Sequence, residues 1–240
     1  MTEIRLAVPA EIDRYLDALV RTGPFGSKAE LVRAAIVSYA QEAGPLAHDF
    51  DKENLFSPDG RIYQVEYARE SARRGLPIAG AVYDKGVVLG GNVFPAWNPT
   101  MKKGGKLVRI SPQVMVAATG LVADGRAVMR HLRSRTWKST DELIDDVSRL
   151  FFEHTVHRDV RPLGCGLLIA SVLGGEPRLI EVDASGALLE AEADVVGAGA
   201  EEDREEKVRG YRAGRLKEAE ALVGRLLQKE MEREVARLEV

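Results

Sequence analysis

The chain has 240 residues, enough for one large domain with a sizeable core, with room left for a small companion module. Its 34 basic and 37 acidic side chains leave a formal charge of −3, a poor balance for a chain devoted to nucleic acid, and no apolar run is long enough to span a bilayer. A single cysteine, Cys165, excludes an internal disulfide; with no leader pattern at Met1-Thr2-Glu3, the expectation is a cytoplasmic protein.

Residues 2–8 alternate apolar Ile4, Leu6 and Val8 with Glu3, Arg5 and Ala7, the period of a strand with one buried face. Pro9 stops the strand and suits a helix start, after which Ile12, Tyr15, Leu16 and Leu19 recur at helical spacing up to Gly23-Pro24. Ser27 with Glu30 three residues on reads as a capping box, opening a second helix through Leu31, Ala35, Ile36 and Tyr39. This strand-helix-helix order over residues 1–44 resembles the ribbon-helix-helix module of small DNA-binding repressors. The resemblance implies pairing of two chains through their strands, with Glu3, Arg5 and Ala7 on the face that would read DNA. Of these only Arg5 is a good base or phosphate reader. Five basic residues stand against six acidic ones in 1–44, so pairing without DNA and pairing with DNA both remain open. Residues 45–54 are polar and aperiodic and read as a linker to a second domain over 55–240.

The second domain opens on residues 56–75, FSPDGRIYQVEYARESARRG. Pro58 presets φ, Asp59 can cap its own backbone and Gly60 can turn left-handed, so the start is a tight turn. Ile62, Val65, Tyr67, Ala68 and Ala72 then share one helical face, with Arg69, Arg73 and Arg74 at the end where the helix dipole favours cations and Gly75 as the stop. Residue for residue this stretch resembles the N-terminal signature of α-type 20S proteasome subunits. In that family a Tyr-Asp-Arg triplet just upstream shapes the pore gate. Phe50-Asp51-Lys52 is the counterpart here, next to the Pro58 turn, and it lacks the tyrosine hydroxyl and the arginine fork.

Beyond Gly75 the pattern changes period. Hairpins are expected at 78–91 around Asp84-Lys85-Gly86 and at 107–119 around Ser111-Pro112-Gln113. Helices are expected at 122–137 and 140–157, the second with Leu143, Val147, Leu150, Phe151 and His154 on one face. Strands follow at 164–172, 178–183 and 187–190. Strands in blocks separated by a helix pair argue an α+β layered domain. The order, and the segments TGLVADGR, RPLGCGLLIAS and EVDASGALLE, resemble the proteasome-type (Ntn-hydrolase-like) αββα sandwich. From Glu201 the chain is rich in helix formers, with Leu216, Ala219, Leu222, Val223 and Leu226 periodic. Only 235–240 is left for a final strand, one fewer than the resemblance implies.

Catalytic members of the family carry an N-terminal threonine whose own amine is the base, with a lysine and an acidic residue beside it. Alignment places Leu76-Pro77 at the nucleophile, Asn92 at the acid and Lys106 at the lysine, so no catalytic residue is expected. In α-type rings the corresponding lysine binds the C-terminal carboxylate of an activator ATPase. By resemblance Lys106, Gly120 and Leu121 form that docking pocket, against the plain reading of Lys106 as a solvated strand-start lysine. His154 and His157 with Glu153 lack a third ligand, Cys165 sits in an apolar run, and no phosphate loop occurs, so neither metal nor cofactor is expected. The resemblance implies a non-catalytic, archaeal-type subunit that forms a homo-oligomeric ring or a pair of rings and meets other proteasome subunits or an activator. Ribbon-helix-helix units form only in pairs, whereas the ring implied is seven-membered. A DNA-binding regulator that uses an inert proteasome-like domain to assemble is therefore the competing expectation.

Overall fold

The computed structural model describes residues 7–23, 25–43, 53–57, 60–93, 105–200, 204–228 and 231–240, and divides into two units, 1–52 and 53–240. In the first unit α1 (Ala10–Thr22) and α2 (Lys28–Ala43) lie side by side. Lys28 Nζ joins them at 2.7 Å from Asp13 and 2.9 Å from Asp17. The capping box at α2 is present in a modified form: Ser27 Oγ accepts from Glu30 N at 3.2 Å, while the Glu30 carboxylate accepts from Gly26 N at 2.9 Å. No residue of α1 is buried, and Ile12, Tyr15, Ile36 and Val37 are exposed. Most of the expected N-terminal strand, with Glu3 and Arg5, lies outside the described residues; Ala7 and Val8 are in no strand, and Ala7 is exposed.

The second unit is a four-layer sandwich. Helix α3 (Tyr63–Arg73) leads into β1 (Ile78–Tyr83), β2 (Gly86–Val93), β3 (Leu107–Ser111) and β4 (Val114–Gly120). Then come α4 (Val122–Arg133), α5 (Thr140–Val156), β5 (Cys165–Ser171), β6 (Arg178–Val182), β7 (Leu188–Glu190), β8 (Ala193–Val196), α6 (Arg204–Val208), α7 (Leu216–Leu226) and β9 (Glu232–Glu239). One sheet runs β8-β1-β2-β9 and the other β3-β4-β5-β6-β7, with every named strand pair antiparallel.

Strand alternation explains why these strands read as nearly continuous apolar runs. On β1, Ala79, Ala81 and Tyr83 face α7, while Ile78 faces the other sheet; on β5, Cys165, Leu167 and Ile169 face α4 and α5, while Leu168 and Ala170 face the first sheet. Both faces are therefore dry, which for antiparallel strands needs cover on each side. Three apolar clusters supply it. Leu132, Leu143 and Phe151 seal the helix pair onto the second sheet, Ile78, Leu89 and Leu179 fill the space between sheets, and Leu222 and Val223 seal α7 onto the first sheet. Burial of each such side chain contributes roughly 1.5–3 kcal/mol.

Three expectations are corrected here. Tyr67 is half exposed and not on the buried face of α3, which consists of Val65, Ala68 and Ala72. The final strand starts at Glu232, ahead of the expected 235, because charged Glu232 and Glu234 at even positions and apolar Val235 at an exposed odd position break the alternation there. Strand β8, four residues with no flanking turn pair, has no counterpart among the expected strands. The tail does supply one strand, leaving four strands in that sheet against five in the other.

Candidate functional site

The candidate site is built around the junction between α3 and β1. Gly75 is required there sterically: a Cβ would stand 2.0 Å from Gly120 N and 2.3 Å from Thr119 Oγ1. Gly120, at φ 91°, is pressed equally closely, its Cβ position 2.4 Å from Gly164 O. With both side chains absent, the end of α3 settles onto the end of β4. The next carbonyl, Leu76 O, accepts from Thr119 Oγ1 at 2.8 Å and from Lys106 Nζ. Gly75 O accepts from Ala198 N at 2.7 Å and Pro77 O from Asn92 N at 3.0 Å, so the junction is held from three directions.

Lys106 precedes β3, and its backbone N donates to Glu234 Oε2 of β9 at 2.9 Å. Its side chain runs beside Gly91, where an added Cβ would meet Lys106 Cβ at 3.3 Å. Burial pushes the Lys106 amine down to about 8. The solvated-lysine reading is thus overturned: the amine is drawn in between strand ends and hydrogen-bonded to Leu76. Leu121 caps α4, exposed, with its N–H on Gly164 O at 2.9 Å. Lys106, Gly120 and Leu76 therefore converge, with Leu121 one residue outward.

Asn92, aligned with the acid of catalytic relatives, is fully buried and has a different task. Its Nδ2 donates to Gln228 O at 3.0 Å and its Oδ1 accepts from Gln228 N at 2.9 Å, pinning the chain after α7. Gly91, not Asn92, turns toward Lys106.

The support beneath Leu121 comes from a pair that no sequence pattern marks. Asp124 is buried and accepts from Arg161 Nη1 and Nη2 at 2.6 and 2.8 Å and from Gly164 N at 2.8 Å. The Arg161 guanidinium holds the Asp124 carboxyl below its ordinary range. An acid at the third helix position and an arginine 37 residues later carry no pairing signal in sequence. Asn54 falls in the expected linker, yet its Nδ2 reaches His154 O, His157 O and Val160 O at 3.0, 2.8 and 2.8 Å and closes the end of α5. His154 Nδ1 lies 3.1 Å from Arg161 O, and no cluster of metal-ligating side chains occurs among the described residues. Burial raises the Cys165 thiol to about 12, which leaves it unreactive. The gate residues Phe50, Asp51, Lys52 and Pro58 lie outside the described residues; beside them Gly60 N donates to Ser57 O at 2.8 Å.

Comparison with known proteins decides the family. Residues 72–239 match the proteasome subunit family, and residues 53–70 match the N-terminal signature of A-type proteasome subunits. The chain belongs to the proteasome subunit family. Similar proteins include the proteasome alpha subunit of Methanosarcina thermophila, 41% identical over 155 residues (60% of this chain and 63% of that protein). That of Methanothermobacter thermautotrophicus is 36% identical over 170 residues (65% and 67%), and that of Methanopyrus kandleri 38% over 160 (62% and 64%). The chain thus spans about two thirds or slightly less of the relatives it matches. Within this proteasome family chain the signature covers the turn and most of α3, and the longer match covers the whole sandwich. No helix among the described residues is long and apolar enough to cross a membrane.

Proposed function

We propose that the protein is a non-catalytic, α-type structural subunit of a cytoplasmic proteasome-like assembly. The observation that carries this is the α3–β1 junction, whose only candidates for the nucleophile, Leu76 and Pro77, offer no hydroxyl and, at Pro77, no primary amine. Leu76 O is occupied by Lys106 and Thr119, so the lysine serves the backbone of the junction. Lys106, Gly120 and Leu121 form a shallow cationic seat for a partner's C-terminal carboxylate, consistent with an amine beside an exposed backbone turn. The N-terminal unit over 1–44 pairs with that of another copy; the lack of any buried residue in α1 supports this, since so small a unit needs outside cover.

Native mass spectrometry of the full chain and of a chain beginning at Glu53, which keeps Asn54, tests the assembly. Multiples of a single ring size are expected, with fewer paired rings once the N-terminal unit is removed. A dimer that becomes a monomer would overturn the ring.

A further inference from the structure

Strand β9 forms one edge of its sheet, and its strand partner is β2. Three contacts give its hydrogen-bond parity. Val240 N donates to Lys85 O at 3.0 Å, Leu238 O lies 1.9 Å from the Cβ position of Gly86, and Glu234 O lies 3.4 Å from that of Gly90. Even-numbered residues of β9 therefore direct N–H and C=O toward β2, and Arg233, Val235, Arg237 and Glu239 direct theirs outward. Among the described residues the outward groups of Arg233, Val235 and Glu239 have no partner; Arg237 O accepts from Arg109 Nη2 at 2.9 Å. The odd-numbered side chains are exposed, Val235 by 49%.

We propose that this edge pairs with the same edge of a second copy, antiparallel, with Ala236 opposite Ala236. Charge and ladder length together select the register. Only registers that set outward residues against outward residues form a ladder. Shifting the two-fold axis to Val235 sets Arg233 against Arg237, shifting it to Arg237 sets that arginine against itself, and shifting it to Leu238 sets Arg237 against Glu239 but leaves only two outward pairs. With the axis at Ala236, Arg233 meets Glu239 twice and Val235 packs on the Arg237 stem. Arg233 exchanges Gly224 O (2.9 Å) and Glu239 its contact with Arg237 (3.5 Å) for the partner, while Tyr83 OH stays on Glu239 at 2.9 Å. Four outward pairs form, 233 with 239 and 235 with 237 and their two-fold mates, joining two four-stranded sheets into one. In the single chain Arg109, bonded also to Pro112 O at 3.2 Å, covers the middle of the edge and must swing aside. A two-fold contact of this kind stands apart from ring formation, and neither reading needs the other.

The test is oxidative cross-linking of the full chain carrying Ala236→Cys. Residue 236 would face its mate as a non-hydrogen-bonded pair with Cα atoms about 4.5 Å apart, within disulfide range. A disulfide-linked dimer is expected, absent in the parent, whose only cysteine is buried. Adding Arg233→Glu should slow cross-linking about fivefold by opposing like charges at both ends, and adding Glu239→Arg to that should restore it. Arg109→Ala should speed it. Should Ala236→Cys disturb the fold, sedimentation of Arg109→Ala and Arg233→Glu without any new cysteine reads the same equilibrium, with tighter and weaker self-association expected. No covalent dimer from a folded Ala236→Cys chain, equal rates with Arg233→Glu, or faster cross-linking through Val235→Cys would each overturn the proposal. Rings in native mass spectra without a cross-link would sink it and leave the ring reading intact.

Discussion

Replacing Lys106 by methionine should stabilise the protein while removing the cation of the proposed carboxylate seat. The amine is drawn to about 8 by burial from an ordinary value of 10.5. Charged, it carries a desolvation cost that the unfolded chain does not. Linkage gives the sign: between about pH 8 and 10.5 the unfolded state holds the proton and the folded state does not, so stability rises with pH across that window. Below it the cost is constant and, at about 1.4 kcal/mol per pH unit, on the order of 3 kcal/mol. Methionine keeps the unbranched stem beside Gly91 and removes the charge. The lost hydrogen bond to Leu76 O offsets roughly 1 kcal/mol, and Thr119 still donates to that carbonyl, so it is not orphaned.

The net gain is therefore about 1–2 kcal/mol at pH 7, or roughly 3–6 °C in melting temperature for a domain of this size. By about pH 10.5 the gain should vanish or reverse. Thermal melts of the two proteins at about pH 7, 8.5 and 10 measure it. A loss of stability at pH 7, or a difference that does not change with pH, would refute the reasoning and show the amine solvated or paired. Under the proposed docking, binding of a peptide ending in a free carboxylate should weaken above about pH 8, as the amine loses its proton.

Gly75→Ala should cost several kcal/mol, about 3 or more, because the new Cβ meets backbone at Gly120 that cannot move without shifting β4; urea unfolding measures it. Asp124→Asn should lower stability by about 1–3 kcal/mol by leaving Arg161 without its anion, less than a fully buried pair because Arg161 is more than half exposed. Since the folded carboxyl titrates below its unfolded value, this contribution is present above about pH 4 and lost as pH falls through the lowered folded pKa, so parent and variant should converge in acid. Phe151→Ala should cost about 3–5 kcal/mol, since the ring is wholly buried between α5 and the second sheet.

The architecture is legible in the sequence where period and punctuation agree. Gly75 ending a helix with a clear apolar face, Asp84-Lys85 joining two apolar runs, and the face of Leu216, Ala219, Leu222, Val223 and Leu226 each point to an element close to the one observed. The expectations that fail do so for physical reasons. Tyr67 fits a helical face by spacing, but the face narrows to small residues because α3 lies tightly on β4 and β5, where Ala68 and Ala72 fit and a ring does not. The site is half legible. Lys106 can be placed by alignment, yet its burial depends on Glu234 and Leu76, far away in the chain, and no local pattern encodes that. Alignment sets Asn92 at an acid's position, and its amide answers instead to Gln228.

The edge at β9 and the proposed seat at Lys106 are mechanically coupled. Glu234 on β9 holds the backbone N of Lys106, while Arg109 on β3 holds Arg237 O on β9, so the start of β3 is tied to the edge strand at both ends. Pairing at the edge requires Arg109 to release Arg237, which leaves the Glu234 carboxylate to hold β3 against β9. A partner carboxylate at Lys106 would compete with Leu76 O for the same amine. Symmetry adds a constraint. A ring closes through a heterologous face, whereas the proposed β9 contact is isologous, so a chain using both would form an even-numbered assembly of paired rings with dihedral symmetry. An odd-numbered assembly as the largest species, in a protein that cross-links through residue 236, would mean that the edge and the ring face cannot be occupied at once.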